Sequence, residues 1–260
     1  MNESMMIFDR RAVRAHRSRA AGRLGGVASV IDDLAQRLLS RLDDTTMSFT
    51  QALDIGGRGI VAPILAQRHI DVVSIDLSPA MAQRSGGHAV TADEECLPFA
   101  PASFDLIVAH LALHWVNDLP GALLQLRQSL KPGGLFLASM PVLGTLASLR
   151  STLLATEEAL TGRAAPRISP FPDLRDCASL LQRAGFALPV VELEDIALSY
   201  ANPLKLLRDL QAAGENNAIA KRSRAIPPRS LFPATLAALP RTDNRVTVEL
   251  RMAILTGWAP

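Results

Sequence analysis

The sequence predicts a doubly wound α/β domain built on a mostly parallel sheet. Three observations point there. Between residues 48 and 142, short apolar stretches of strand character alternate with stretches of helical spacing. One of them, "FDLIVAHLAL" (104–113), is apolar enough to be buried on both faces, as a central parallel strand must be. And "QALDIGGRGIVAPIL" (51–65) runs from a strand through a glycine turn into a helix, the opening of a nucleotide-binding unit.

The elements follow in order. "ASVIDDLAQRLLSRL" (28–42) has helical spacing, with Val30, Leu34 and Leu38 on one side. "FTQALDI" is the first strand and "GIVAPILAQR" a helix. "DVVSIDL" is the second strand, "SPAMAQRSG" a short helix and "HAVTAD" the third strand. After the fourth strand, "NDLPGALLQLRQSL" is a helix stopped by "KPGG", and "LFLASMP" is the fifth strand. The second half is less regular. "TLASLRSTLLATEEAL", "DLRDCASLLQRAG" and "NPLKLLRDLQAAG" read as helices, "FALPVVELEDIALSY" as a strand, and "VTVELRMAILTGWA" closes the chain with a β pattern. With no clean linker, the expected organisation is one domain over 1–260. It has a basic helical arm (1–45), a cofactor-binding core (48–142) and a C-terminal half carrying substrate-side insertions (143–260).

Composition narrows the class. The 260 residues are 48% hydrophobic and 20% charged, enough to bury a sizeable core. A net charge of +2 gives no argument for nucleic acid. No apolar run reaches the length of a membrane span, and no apolar core follows the first basic residues as a secretory signal requires. Cys96 and Cys177 form no disulfide or metal framework, so a reducing compartment such as the cytoplasm is expected.

The charge is unevenly placed. "FDRRAVRAHRSRAAGR" (8–23) carries Arg10, Arg11, Arg14, Arg17, Arg19 and Arg23 against the single acid Asp9. On a helix, Arg10, Arg14 and Arg17 share a face and Val13 weakly anchors the other side. A solvated helix, an organellar transit peptide and a lid or partner-binding arm all fit this composition. The arm reads as separable, so that removing 1–22 should leave a folded core.

Ligands of open parallel sheets sit at the carboxyl ends of the strands. That gathers the loop after Ile55 with the ends of "SIDL", "VTAD" and "LIVAH". Asp54, Gly56, Gly57 and Gly59 would form the glycine turn, where backbone can approach a ligand and tolerate positive φ. Asp76, followed by Leu77, stands where an acid binds ribose hydroxyls, although it could instead cap the helix at "SPAM", as Ser78 can. Asp93, or its neighbour Glu94, could accept from an adenine amine. His110 ends the fourth strand, either as a satisfied structural histidine or beside the reacting centre. A nicotinamide dinucleotide would prefer the full G-x-G-x-x-G, whose third glycine is missing in this register; S-adenosylmethionine, with no phosphate, needs only close backbone and nearby acids. No histidine–carboxylate spacing suggests a tightly held metal. His114, Trp115, Tyr200, Glu215 and Asn216 are substrate-side candidates, with packing, capping and turn roles as the alternative. No residue stands out as catalytic.

The stretches "LDIGGRG", "TADEECLPFAPASFDLIVAH" and "LKPGGLFLAS" resemble the class I S-adenosylmethionine-dependent methyltransferases. "FDR", "LALHWVNDLPGALLQL", "RISPFPDLRDCASLLQRAGF", "LSYANPLKLLRDLQAAGENNA" and the terminal "GW" resemble one branch of them, that of the mitochondrial complex I assembly factor with arginine-hydroxylase activity and its bacterial relatives. The methyl-ester synthase of biotin synthesis, which acts on a carrier protein, is similar more loosely. The resemblance covers nearly the whole chain. It implies a Rossmann-like sheet with an antiparallel C-terminal strand, S-adenosylmethionine as cofactor, and methyl transfer to a protein or carrier-protein substrate. The alternatives it implies are hydroxylation of an arginine in a complex I subunit and a non-catalytic assembly chaperone; it places the protein in the cytoplasm of a bacterium or the mitochondrial matrix of a eukaryote. It favours a lid or docking helix for the arm, since "FDR" opens the folded domain in that family. The family's loop resembles Asp-Leu-Gly-Cys-Gly-Arg-Gly. Here one residue is missing: without a gap Arg58 stands where a glycine should be, and with a gap the turn is tighter.

Overall fold

The computed structural model describes residues 6–260. The first five residues of the basic arm lie outside the described residues. The strands are β1 (Gln51–Ile55), β2 (Asp71–Asp76), β3 (His88–Thr91), β4 (Phe104–His110), β5 (Leu130–Pro141), β6 (Ala187–Tyr200) and β7 (Val246–Trp258). The helices are α1 (Arg10–Ala20), α2 (Ala28–Leu39), α3 (Val61–Gln67), α4 (Pro79–Ala82), α5 (Leu119–Ser129), α6 (Ala147–Thr161), α7 (Leu174–Arg183), α8 (Pro203–Ala213) and α9 (Leu231–Ala238).

The strands form one sheet in the order β3-β2-β1-β4-β5-β7-β6. The pairs from β3 to β5 are parallel, and β7 runs antiparallel to both β5 and β6. The strand order reverses between β1 and β4, which makes the loops after these strands the expected crevice. Alternation along the strands separates two cores. Leu53, Ile55, Ile107 and Ala109 face α5 and α7 through Leu123, Leu126, Cys177 and Leu181. Ala52, Leu106 and Val108 face α2 and α3 through Leu38, Leu39, Val61 and Leu65.

Two local features differ from the sequence reading. The "KPGG" stretch lies inside β5 rather than before it. The ladder to β4 shifts register between Phe104 and Leu106, and Gly133 takes φ +75°, so the glycines make a bulge instead of ending the helix. And α9 has no counterpart in the sequence reading, because "LFPATLAA" is apolar nearly throughout and shows no amphipathic stripe.

The long β6–β7 ribbon places the rest. Pairing of β7 with β5 stops at Met252 opposite Pro141, whereas pairing with β6 continues to Val246 opposite Tyr200. The ribbon therefore runs on past the carboxyl end of β5. There it supports a third core, in which Val246 and Val248 pack with Leu149 and Leu153 of α6, Leu206 of α8 and Leu239 just after α9. This added layer stands over the edge of the sheet where the crevice opens. Among the described residues no helix is long and apolar enough to cross a membrane.

Candidate active site

The arm is part of the core. Asp9 caps α1, accepting from Ala12 N–H at 3.1 Å. Asn117 fixes the residues before it, its Oδ1 accepting from Ile7 and Phe8 N–H at 2.9 and 2.8 Å. The expected charged face is corrected by the geometry. Arg10, Val13 and Arg17, spaced by three and four residues, lie together on the inward side, and Arg14 is exposed. Val13 packs with Phe8, Trp115 and Ala218; Ala20, Ala21 and Leu24 pack with Met81. The arm packs into the core, and removing it would bare this surface.

The two inward arginines meet the acids of the crevice. Arg17 is 1% exposed, and its Nη1 donates to Glu94 Oε1 at 2.7 Å and to Asp76 Oδ2 at 3.3 Å. Arg10 donates to Asp93 Oδ1 at 2.5 Å, to Glu94 Oε2, and to Trp115 O at 3.0 Å. Asp76 also accepts the Ser78 N–H at 2.7 Å, while Ser78 Oγ caps α4 by accepting from Met81 N–H. Asp76 therefore does not cap the helix. Burial pushes the Asp76 carboxyl up; Glu94 is buried too, but Arg17 and Arg10 hold it below the usual range. Leu77 packs against Phe8 and Trp115 beneath the arm.

The glycine turn has three residues of left-handed backbone. Gly56, Arg58 and Gly59 have φ of +66°, +54° and +77°. Arg58 thus holds a left-handed backbone at a cost of roughly 1–2 kcal/mol. Packing within the chain accounts for each glycine. A Cβ at Gly56 would stand 2.7 Å from Ala112 Cβ, one at Gly57 would stand 2.1 Å from Asp54 Oδ1, and one at Gly59 would stand 2.6 Å from Arg84 O. Asp54 is fully buried beneath the turn, accepting from Ser74 Oγ at 3.0 Å, and burial pushes its carboxyl up to about 7.

The buried Arg58 side chain leads from this turn to the substrate side. Its Nη2 donates to Glu215 Oε1 at 2.7 Å and Leu111 O at 3.2 Å, and its Nη1 lies 3.4 Å from His110 O. Glu215 Oε2 also receives His114 Nε2 at 2.9 Å and Trp115 Nε1 at 3.1 Å. Although burial opposes it, His114 and Arg58 hold the Glu215 carboxyl down at about 2. Glu215, His114 and Trp115 thus form one cluster closed by the chain's own guanidinium. His110 is not in it. Its Nδ1 pairs with Ser139 Oγ at 2.8 Å and its Nε2 lies 3.2 Å from Ile31 O, so the ring ties β4 to β5 and α2. Burial and nearby Arg58 press its pKa down to about 3, and the ring is neutral.

A cavity of about 500 Å³ opens beside this cluster between α6, α8 and α9. Trp115, Glu215 and Asn216 stand in its wall with Leu149, Leu207, Phe232, Arg208 and Arg167, the last paired with Glu157 through Nε at 2.9 Å. A smaller, apolar cavity of about 120 Å³ holds Tyr200 together with Arg58, His114 and Glu215. Burial and the nearby Asp209 push the Tyr200 phenol up to about 12. The structure thus separates Tyr200 and Asn216 into two adjoining cavities that share Glu215. The functional side chains missing from the sequence reading are Arg10 and Arg17 as partners of the acids. The available signal was the spacing Arg10, Val13, Arg17, set against acids that burial obliges to find a cation.

Comparison with known proteins agrees with this architecture. Residues 53–138 match a family described as methyltransferase domain. The arginine-hydroxylase NDUFAF5, mitochondrial, of Danio rerio is 32% identical over 99% of this chain and 84% of its own length. The malonyl-[acyl-carrier protein] O-methyltransferase of Xylella fastidiosa is 33% identical over 98% of this chain and 89% of its own. Among solved structures, a Haemonchus contortus phosphoethanolamine N-methyltransferase in complex with S-adenosylhomocysteine superposes with a TM-score of 0.54. It is 16% identical, over 88% of this chain and 52% of its own. With whole-length relatives of this identity and this sheet order, the chain belongs to the class I S-adenosylmethionine-dependent methyltransferase superfamily, close to the arginine-hydroxylase and malonyl-carrier-protein methyltransferase branches.

Proposed function

We propose that the chain is an S-adenosylmethionine-dependent methyltransferase whose acceptor is carried on a protein and reaches the site through the 500 Å³ cavity. The donor set fits the cofactor. Asp76 ends β2, the neighbour of β1 beside the sheet's switch point, Asp93 and Glu94 follow β3, and the glycine turn after β1 brings backbone close to the same crevice. S-adenosylmethionine supplies an electrophilic methyl group on a sulfonium. Asp76 would hold the ribose hydroxyls and Asp93 the adenine amine. Transfer to a carboxylate needs alignment of acceptor and methyl rather than a base, so the site's task is positioning and exclusion of water.

The observation that carries the acceptor side is the lining of the large cavity. Leucines and Phe232 surround a space with Arg208 in its wall; Arg167, also in the wall, is paired with Glu157, and Glu215 at the inner end is paired with Arg58. A mostly apolar chamber with Arg208 in its wall suits an acyl group with an anionic end. One observation favours a second reading, modification of a protein arginine. The Glu215, His114 and Trp115 cluster already holds a guanidinium, that of Arg58, so its geometry is suited to one.

Mass spectrometry of a carrier protein and of candidate partner subunits, with and without the purified chain and S-adenosylmethionine, tests both. A gain of one methylene on the acyl carrier group supports the first reading; a gain of one oxygen on an arginine, in an assay that also supplies dioxygen and a reductant, supports the second. A partner left unmodified that still fails to assemble without the chain would replace both with an assembly role.

A further inference from the structure

The acids that would receive an adenosyl group are held by the protein itself. Arg17 reaches both Asp76 and Glu94 from α1, and no solvent reaches any of the three to a significant degree. We propose that Arg17 is an internal stand-in for the cofactor, and that α1 is a flap which must lift its Arg17 end for S-adenosylmethionine to bind. The inference rests on the cofactor assignment above and goes beyond it by making binding a competition with the chain's own side chain.

Three features of the arm support a movable contact. First, Arg17 fits its seat incompletely. It uses Nη1 alone for both acids, while its Nε and Nη2 are buried with no hydrogen-bond partner. A guanidinium built into a permanent site would satisfy its fork of donors. Second, the arm is fastened unevenly. At its start Phe8 is held by Asn117, Asp9 N–H donates to Ala218 O at 2.8 Å, and Arg222 donates to Asp9 at 2.9 Å. Near its other end α1 is held by the Arg17 pairs, the Ser18–Ser78 hydroxyl contact at 2.8 Å, the packing of Ala20 and Ala21 on Met81, and Arg84 donating to Ala21 O at 2.8 Å. Lifting this end breaks side-chain contacts and leaves the backbone ties of Phe8 and Asp9 as the hinge. Third, Glu94 does not depend on Arg17, because Arg10 stays beside it when Arg17 leaves. Asp76 does lose its cation, and ribose hydroxyls would take over its acceptor oxygens.

Competition of this kind lowers the apparent affinity by the fraction of molecules with the flap open. Calorimetry with S-adenosylhomocysteine on the full chain and on Arg17→Ala, joined with hydrogen exchange, tests it. The variant should bind about tenfold tighter, although it should melt at a lower temperature without ligand; Arg17→Lys should fall between. In the unaltered chain, saturating ligand should speed amide exchange over 10–20 while leaving 6–9 protected. Equal or weaker binding by Arg17→Ala, or slower exchange of α1 on binding, would overturn the flap and leave the cofactor assignment standing. Binding by neither protein would overturn the cofactor assignment and the flap with it. If Arg17→Ala does not fold, exchange in the unaltered chain decides alone.

Discussion

Arg58 and Glu215 lie 157 positions apart in sequence and are joined at 2.7 Å in the structure. Their pair links the glycine turn to the substrate side. It also explains how a left-handed arginine is retained where a glycine would be free of strain, since the guanidinium bridges three loops. Glu215→Gln removes the charge that holds Arg58 and His114 and should destabilise the protein by about 3–5 kcal/mol. Arg58→Gly relieves a backbone strain of roughly 1–2 kcal/mol and should therefore cost less than Glu215→Gln. Thermal melts of both single variants and the double variant check this. The double variant should fall short of the sum by at least about 1 kcal/mol, and strict additivity would show that the pair contributes nothing.

The second expectation concerns Asp76. Asp76→Ala leaves Arg17 one partner, Glu94. It also removes the acceptor proposed for the ribose. Loss of a charged hydrogen bond costs about 1.5–3 kcal/mol, so the affinity for S-adenosylhomocysteine should fall by about ten- to a hundredfold. Calorimetry reads this directly. Unchanged affinity would move the ribose away from the end of β2.

How much of this could be read from the chain follows the range of the interactions. The strands β1 to β5 and their helices were legible because their patterns are local: the unbroken apolar run of β4, buried on both faces, the proline and glycine punctuation, and the acids that end strands. The seat of Asp76 at the end of β2 was legible for the same reason. The partner of Asp76 was not, because Arg17 reaches it across 59 positions and no local pattern encodes that contact. Arg10, Arg14 and Arg17 looked alike on one helical stripe. Only the packing of Val13 against Phe8 and Trp115 decides that Arg10 and Arg17 turn inward while Arg14 does not. His110 illustrates the opposite case. Its position at the end of β4 suggested chemistry, and Ser139 and Ile31 absorb both ring nitrogens.

A third expectation uses two buried groups whose titrations oppose each other. His110 falls from its ordinary 6.5 to about 3, so the unfolded chain binds more protons between those values. Its contribution is present above pH 6.5 and is lost as pH falls toward 3. Asp54 rises from 3.8 to about 7, so the folded state binds more protons in that window, and its contribution is lost as pH rises from about 4 to 7. Asp54→Asn keeps an acceptor for the turn and can donate to Ser74 Oγ. Relative to the unaltered protein it should gain stability steadily from pH 4 to 7 and level off above. Urea titrations across this range check it, and a constant offset between the two proteins would show that Asp54 is ionised throughout.

The last expectation separates the cavity from the cofactor crevice. Leu204 stands in the wall of the 500 Å³ cavity and is 40% exposed, so a larger side chain there can be accommodated without disturbing the core. Leu204→Trp should narrow the chamber while leaving Asp76, Glu94 and the glycine turn as they are. If the acceptor passes through this chamber, the variant loses binding common to ground and transition states. KM for the modified carrier protein should then rise about tenfold with kcat nearly unchanged. Affinity for S-adenosylhomocysteine should match the unaltered chain, since the substitution lies on the β6–β7 side of the site and not over the end of β2. A fall in cofactor affinity would mean that the two spaces are one. An unchanged KM, with the melting temperature also unchanged, would send the acceptor by another route, and the smaller cavity around Tyr200 would be the next to fill.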